Sequence, residues 1–144
     1  MDRFETFSLA LFNMSRYWNR LAAEEMEKYG LKGAHAFYLV TVLRYNGEIT
    51  ASQLCDLCGK DKADVSRGVS RLEAIGMLQR VGSNPYRAKL QLTQEGIAAA
   101  QAVRETAQTI VDRVGGDLTA ENRAVFYEVL ASVTANLEKL CKEI

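Results

Sequence analysis

Five polar side chains on one short segment are the most chemically suggestive feature of this 144-residue chain: Lys62, Ser66, Arg67, Ser70 and Arg71. Between them Val65, Val69 and Leu72 recur at helical spacing, so a helix from Lys62 to about Ile75 would bury the apolar set and leave the polar set outward. Small residues let a helix approach a groove closely, and arginines bond guanine edges or phosphate oxygens. Ser66 and Ser70 fit ordinary exposed helix positions equally well. Arg71 has two readings, a contact to nucleic acid or an internal pair with Glu73. Asp64 is unusual on such a face. It could accept from cytosine N4, organise a neighbouring arginine, or complement the positive end of the helix.

Other chemistry is sparse. Cys55 and Cys58 form a Cys-x-x-Cys pair, but a structural zinc needs four nitrogen or sulfur ligands. The third cysteine, Cys141, and the one histidine, His35, belong to other segments. Buried cysteines acting as small hydrophobes are the expected reading, and a thiol sensor is the alternative. No metal and no cofactor are expected. The chain has no glycine-rich phosphate loop after a strand, no nucleophile elbow and no His-Glu-x-x-His run, so enzyme chemistry is not expected. Arg16, Tyr17, Trp18, His35, Phe37, Tyr38 and Tyr45 gather aromatic and polar groups near the first two helices, where a stripe of this kind is more often core than pocket.

A chain of this length can bury a core without metal or disulfide staples. No stretch approaches the roughly 20 apolar residues of a membrane span, and Met1-Asp2-Arg3-Phe4-Glu5 lacks the pattern of a signal peptide. With an odd number of cysteines, a reducing cytoplasm is the expected location. The formal net charge is zero. Its distribution is uneven: Lys60, Lys62, Arg67, Arg71, Arg80, Arg87 and Lys89 face only Asp61, Asp64 and Glu73 between positions 60 and 93. That local positive surplus is balanced by acidic flanks, which suits phosphate binding at one place without unspecific sticking.

The elements that must position the polar face follow from capping and periodicity. Phe4, Phe7, Leu11, Met14, Trp18 and Leu21 make one stripe on a first helix reaching about Tyr29, which Gly30 would end. A second helix is expected over about 34–45, burying Phe37, Val40 and Leu43 or their neighbours, and stopping at Asn46-Gly47. Thr50 and Gln53 form a capping box for a short helix to Cys58, closed by Gly59. Asp61 caps the polar-faced helix and Gly76 ends it. Strands are expected over 77–81 and 87–92, joined through Gly82, Ser83, Asn84, Pro85 and Tyr86, with the only proline at the tip. Thr93 then caps a helix striped by Ile97, Val103, Ala107, Ile110 or Val111, and Val114, which Gly115-Gly116 ends. Thr119 caps a last helix whose Phe126, Leu130, Val133, Leu137, Leu140 and Ile144 step by three and four. Two striped terminal helices exceed what a small core covers and suit packing on a second copy of the chain; a monomer whose terminal helices fold back on its own core is the alternative.

The chain resembles the MarR family of bacterial winged helix-turn-helix regulators. The most specific residues are Leu54, Gly59, Asp61 through Arg67, Arg71-Leu72-Glu73, Gly76-Met77-Leu78, Arg80, Arg87 through Leu90, Leu92-Thr93 and Gly96. The resemblance implies a mainly α fold: a winged helix-turn-helix with a small two- or three-stranded antiparallel β wing and long N- and C-terminal dimerisation helices. It would form a single domain over 1–144, with the winged core at about 33–93 and the dimerisation helices at about 2–30 and 94–143. It also implies a homodimer on pseudo-palindromic double-stranded DNA, usually a repressor released by an effector or an oxidation event. Carried over by position, Lys62, Ala63, Asp64, Ser66, Arg67, Ser70, Arg71 and Lys89 become candidate DNA contacts. Arg87 falls where the family's wing arginine enters the minor groove, although Pro85 replaces the usual aspartate partner. A small aromatic or phenolic effector would lodge by Arg16, Tyr17, His35 and Tyr38. A winged-helix module that binds protein instead of DNA is the other reading.

Overall fold

The computed structural model describes residues 1–84 and 87–144. They form two compact units, Met1–Thr106 and Ala107–Ile144. In the first unit, helix α1 (Arg3–Glu27) is followed by α2 (Ala34–Arg44), strand β1 (Ile49–Thr50), α3 (Ala51–Cys58), α4 (Lys62–Ala74), and strands β2 (Leu78–Val81) and β3 (Lys89–Leu92). Helix α5 (Gln94–Val114) begins in the first unit and ends in the second, which also contains α6 (Ala120–Lys142).

Local chemistry sets most of these boundaries. Asp2 and Glu5 cap α1 reciprocally, with Glu5 N–H donating to Asp2 Oδ1 at 2.8 Å and Asp2 N–H to Glu5 Oε2 at 3.1 Å. At its far end Leu31 N–H donates to the Met26 carbonyl at 3.1 Å and Gly30 N–H to that of Glu27 at 2.9 Å, with Gly30 at φ +67°. That pair of bonds satisfies carbonyls the helix itself leaves open. Thr50 and Gln53 form the expected capping box on α3, and Asp61 accepts from Ala63 N–H at the start of α4.

The sheet is antiparallel in the order β1-β3-β2, with Ile49 opposite Leu90 and Leu78 opposite Leu92. The expected ribbon of two strands thus gains a third, which Thr50 ends while it also caps α3. Two boundaries shift. Arg87, expected to open the second strand, sits in a turn with its N–H on the Asn84 carbonyl at 3.1 Å, and β3 begins only at Lys89. The tip expected at Pro85 and Tyr86 lies outside the described residues.

The core of the first unit joins Met26, Tyr38, Leu39, Val42, Ile49, Leu54, Val65, Val69, Leu72, Leu78 and Leu90. On α2 the buried face turns out to be the neighbours of the stripe residues: Leu39 and Val42 are enclosed while Phe37 is 52% exposed. Almost every position of α2 is apolar, so periodicity could not phase it. Two glycines mark close approaches. A Cβ on Gly68 would lie 2.5 Å from Tyr38 Cε2, so α4 rests against the Tyr38 ring. A Cβ on Gly96 would lie 1.9 Å from the Met77 carbonyl oxygen. On α5 the face enclosed in the first unit is Gly96, Ala99, Ala100 and Val103, and Ile97 stays partly exposed.

In the second unit the connection 115–119 is held by Arg123, whose Nη2 donates to the Gly115 carbonyl at 3.0 Å, and Thr119 caps α6 by accepting from Asn122 N–H at 3.1 Å. No residue of α6 is buried. Phe126, Leu130, Leu137 and Leu140 are exposed on it, as Phe4, Phe7, Leu11, Met14 and Trp18 are on α1. No helix among the described residues is long and apolar enough to cross a membrane.

Candidate nucleic-acid interface

Helix α4 is fixed by what lies behind it. Val65, Gly68, Val69 and Leu72 are buried, and this places Lys62, Ala63, Ser66, Arg67 and Ser70 in solvent. The face is narrow in profile because its centre carries only alanine, serine and one arginine. A helix with such a face is about 10–12 Å across, close to the roughly 12 Å width of a B-DNA major groove.

Asp64 has taken one of its three possible roles: its Oδ1 accepts from Arg67 Nη2 one helical turn away. Both side chains remain more than half exposed, at 53% and 69%. An exposed pair of this kind adds little to stability. Its effect is on conformation, since it limits the rotamers of a long side chain that faces outward.

Arg71 departs from one of its two readings, the internal pair with Glu73. Glu73 is engaged by Arg80, with Nε 3.5 Å from Oε1. The Arg71 guanidinium instead leans toward the connection between α1 and α2, where Nη2 stands 3.9 Å from the position a Cβ on Gly30 would occupy. It therefore sits at the edge of the α4 face rather than at its centre. Lys89, on β3, is 3.8 Å from Glu48. Arg87 lies in the turn before β3. Arg67, Arg80 and Lys89 thus have carboxylate neighbours, and the local positive surplus rests mainly on Lys60, Lys62, Arg71 and Arg87.

The four residues suggested for an effector fall into two groups. Arg16 is exposed on α1, bonding Asn13 Oδ1 at 3.0 Å and the Tyr17 hydroxyl at 3.2 Å. His35 and Tyr38 are buried, edge to face with centroids 5.9 Å apart. None of the four lines either of two shallow cavities among the described residues. One, of about 260 Å³, is walled by Val42, Leu43, Asn46, Gly47, Gln91, Leu92 and Ile97. The other, of about 340 Å³, is walled by Tyr45, Glu48, Ile49, Gln53, Asp56 and Leu57.

His35 is a structural group. Its Nδ1 stands 2.9 Å from the Lys32 backbone nitrogen and 3.1 Å from the Lys32 carbonyl oxygen, accepting from the first when Nδ1 is unprotonated and donating to the second when it is protonated. Burial pushes its pKa below the ordinary value of 6.5 and outweighs the Lys32 backbone hydrogen bond, which pulls it up; the positive charges of Lys32 and Arg71 add to the lowering. The unfolded chain therefore takes up a proton at His35 before the folded one does, so stability is lost as pH falls below about 6.5. With one histidine in the chain, the effect is separable. The denaturant midpoint should drop between pH 7 and pH 5.5, and His35→Gln should flatten that slope; an unchanged slope would place the titration elsewhere.

Cys55 and Cys58 are both free and half-buried on α3. The Cys55 thiol donates to the Lys60 carbonyl at 3.3 Å. Burial, with Cys55 adding to it, pushes the Cys58 thiol up to about 11, so at neutral pH it is protonated and a poor nucleophile. Among the described residues no three histidine, cysteine or acidic side chains gather as metal ligands.

What sequence reasoning missed is that Thr93, beyond capping α5, ties back to the end of α4. The Thr93 hydroxyl donates to the Gly76 carbonyl at 2.6 Å and accepts from Gly96 N–H at 3.2 Å, while Thr93 N–H donates to the Met77 carbonyl at 3.0 Å. The signal was present as the pattern Gly76-Met77 with Thr93 and Gly96.

Residues 29–85 match the model of the MarR family. No curated protein matches the chain closely enough to count as a relative. Among solved structures, a MarR transcriptional regulator from Methanosarcina mazei Go1 superposes with a TM-score of 0.86 at 20% identity, over 97% of this chain and 94% of that one. The apo form of wild-type MarR from E. coli gives 0.66 at 24% identity, over 86% and 94%. MepR of S. aureus, in a complex with DNA, gives 0.78 at 16% identity, over 94% and 99%. At these identities the likeness establishes the fold, a winged helix with long flanking helices.

Proposed function

We propose that this chain, of the MarR family by its winged-helix segment and sharing that family's fold along almost its whole length, is a transcriptional regulator that binds double-stranded DNA as a homodimer. The carrying observation is the outer face of α4, where Lys62, Ala63, Ser66, Arg67 and Ser70 are exposed and Arg67 is steadied by Asp64. Two such helices, one per subunit and about one DNA turn apart, would enter successive major grooves. Lys62, Arg71, Arg87 and Lys89 supply phosphate or minor-groove contacts at the margins. The apolar residues exposed on α1 and, separately, on α6 fit cover by a second copy, because apolar helix stripes of that length are seldom left in water. Repression of neighbouring genes, and release by a small aromatic or phenolic effector, complete the reading in the form common to the family.

Fluorescence anisotropy with the DNA upstream of its own gene tests the proposal. Binding at least about a hundredfold tighter than to random duplex at moderate salt is expected. Equal binding to both would refute sequence-specific regulation. Light scattering should give a mass of twice 16.0 kDa; a monomer at micromolar concentration would refute the dimer.

A further inference from the structure

The Cys-x-x-Cys pair on α3 has no part in the proposed DNA contacts, and its geometry selects among the things two thiols can do. Cys55 and Cys58 stand three residues apart on one helix, so their Cβ atoms are about 5–6 Å apart. A disulfide requires about 3.5–4.5 Å, so closing one would draw the two Cβ atoms together by about 1 Å or more and distort the end of α3. Two metal–sulfur bonds of about 2.3 Å each place sulfurs up to about 4.6 Å apart, a span that matches the helical spacing better than a disulfide does. A zinc ion would lack its third and fourth ligands here, since no other histidine, cysteine or carboxylate joins the pair among the described residues. Soft cations that accept two thiolates alone have no such need, and thiolate ligands favour Cu(I) in particular. Both sulfurs are half-buried rather than enclosed, so an ion can reach them while Leu54 and the rest of the core shield one side.

We propose that Cys55 and Cys58 form a two-coordinate site for a soft monovalent cation of the Cu(I) type. Binding releases two thiol protons to solvent and forms two sulfur–copper bonds, with no electron transferred. It also removes the hydrogen that Cys55 donates to the Lys60 carbonyl. That bond ties α3 to the short connection, Gly59 to Asp61, from which α4 starts. Resting on the DNA-binding reading, the consequence is that the bound ion loosens the start of α4 and weakens the protein's hold on DNA.

Anaerobic titration with Cu(I) against a chromogenic Cu(I) chelator tests the site. The reduced wild-type protein and Cys141→Ser should each take one equivalent per chain, with Cys55→Ser and Cys58→Ser at least tenfold weaker. Bound Cu(I) should also protect Cys55 and Cys58, but not Cys141, from alkylation. Copper left with the chelator by the wild type, or wild-type affinity in either Cys55→Ser or Cys58→Ser, would overturn the site. No DNA is present in that titration, so failure of the DNA-binding reading leaves its result standing. With a duplex the protein binds, Cu(I) should lower wild-type affinity at least fivefold and leave that of Cys55→Ser unchanged; equal affinity with and without copper in the wild type would overturn the coupling.

Discussion

Gly96→Ala should cost the protein about 3 kcal/mol or more of stability, the upper range of overpacking penalties. The added methyl would stand 1.9 Å from the Met77 carbonyl oxygen and 2.9 Å from its carbon. Both are backbone atoms, so no rotamer change relieves the overlap. Moving α5 away is the remaining escape, and it would stretch the bonds that Thr93 makes to Gly76 and Gly96. At fixed protein concentration, as a dimer requires, the melting temperature should fall by roughly 10 °C. Gly59→Ala is the contrasting case. Gly59 is in the left-handed region at φ +60° with nothing within 4 Å of a Cβ, so only the backbone preference is lost, about 1 kcal/mol. If Gly96→Ala melted no lower than Gly59→Ala, the close approach of α5 to Met77 would be wrong.

That contrast also shows what kind of information the sequence carried. The caps of α3, α4, α5 and α6 were legible because each involves residues two or three apart whose chemistry is local: Thr50 with Gln53, Asp61 with Ala63, Thr93 with Gly96, Thr119 with Asn122. The α4 face was legible because apolar and polar residues alternate there at helical period. The parts that escaped are the nonlocal ones. Strand β1 is two residues long and exists because Ile49 and Thr50 find Leu90 and Lys89 across the sheet. Glu73 was a near neighbour of Arg71 in sequence, but the fold brings Arg80 beside it from β2. Helix α2 hid its inner face because apolar residues surround it, and its rotation is fixed by nonlocal packing such as the ring of Tyr38 against Gly68. For the candidate site, types and spacing named the face, while only the structure separated Arg67 at its centre from Arg71 at its edge.

Arg67→Ala should lower affinity for the cognate duplex by about 10- to 100-fold per half-site, since a well-placed arginine–base pair is worth about 1–3 kcal/mol. Stability should hardly change, because the side chain is 69% exposed and its pair with Asp64 is a surface one. Asp64 separates two roles that Arg67→Ala alone cannot. Its carboxylate repels phosphate, so Asp64→Ala removes an unfavourable charge and should tighten binding to random duplex. It also steadies Arg67, so the same substitution gives the arginine more rotamers to lose on reaching a base. The ratio of cognate to random affinity should therefore fall several-fold while random affinity rises. Arg71→Ala, at the rim of the face, should instead weaken cognate and random binding alike and make the salt dependence shallower by about one unit if it contacts a phosphate. A discrimination ratio unchanged by Asp64→Ala would mean that Arg67 reads no base and that the centre of the α4 face lies elsewhere.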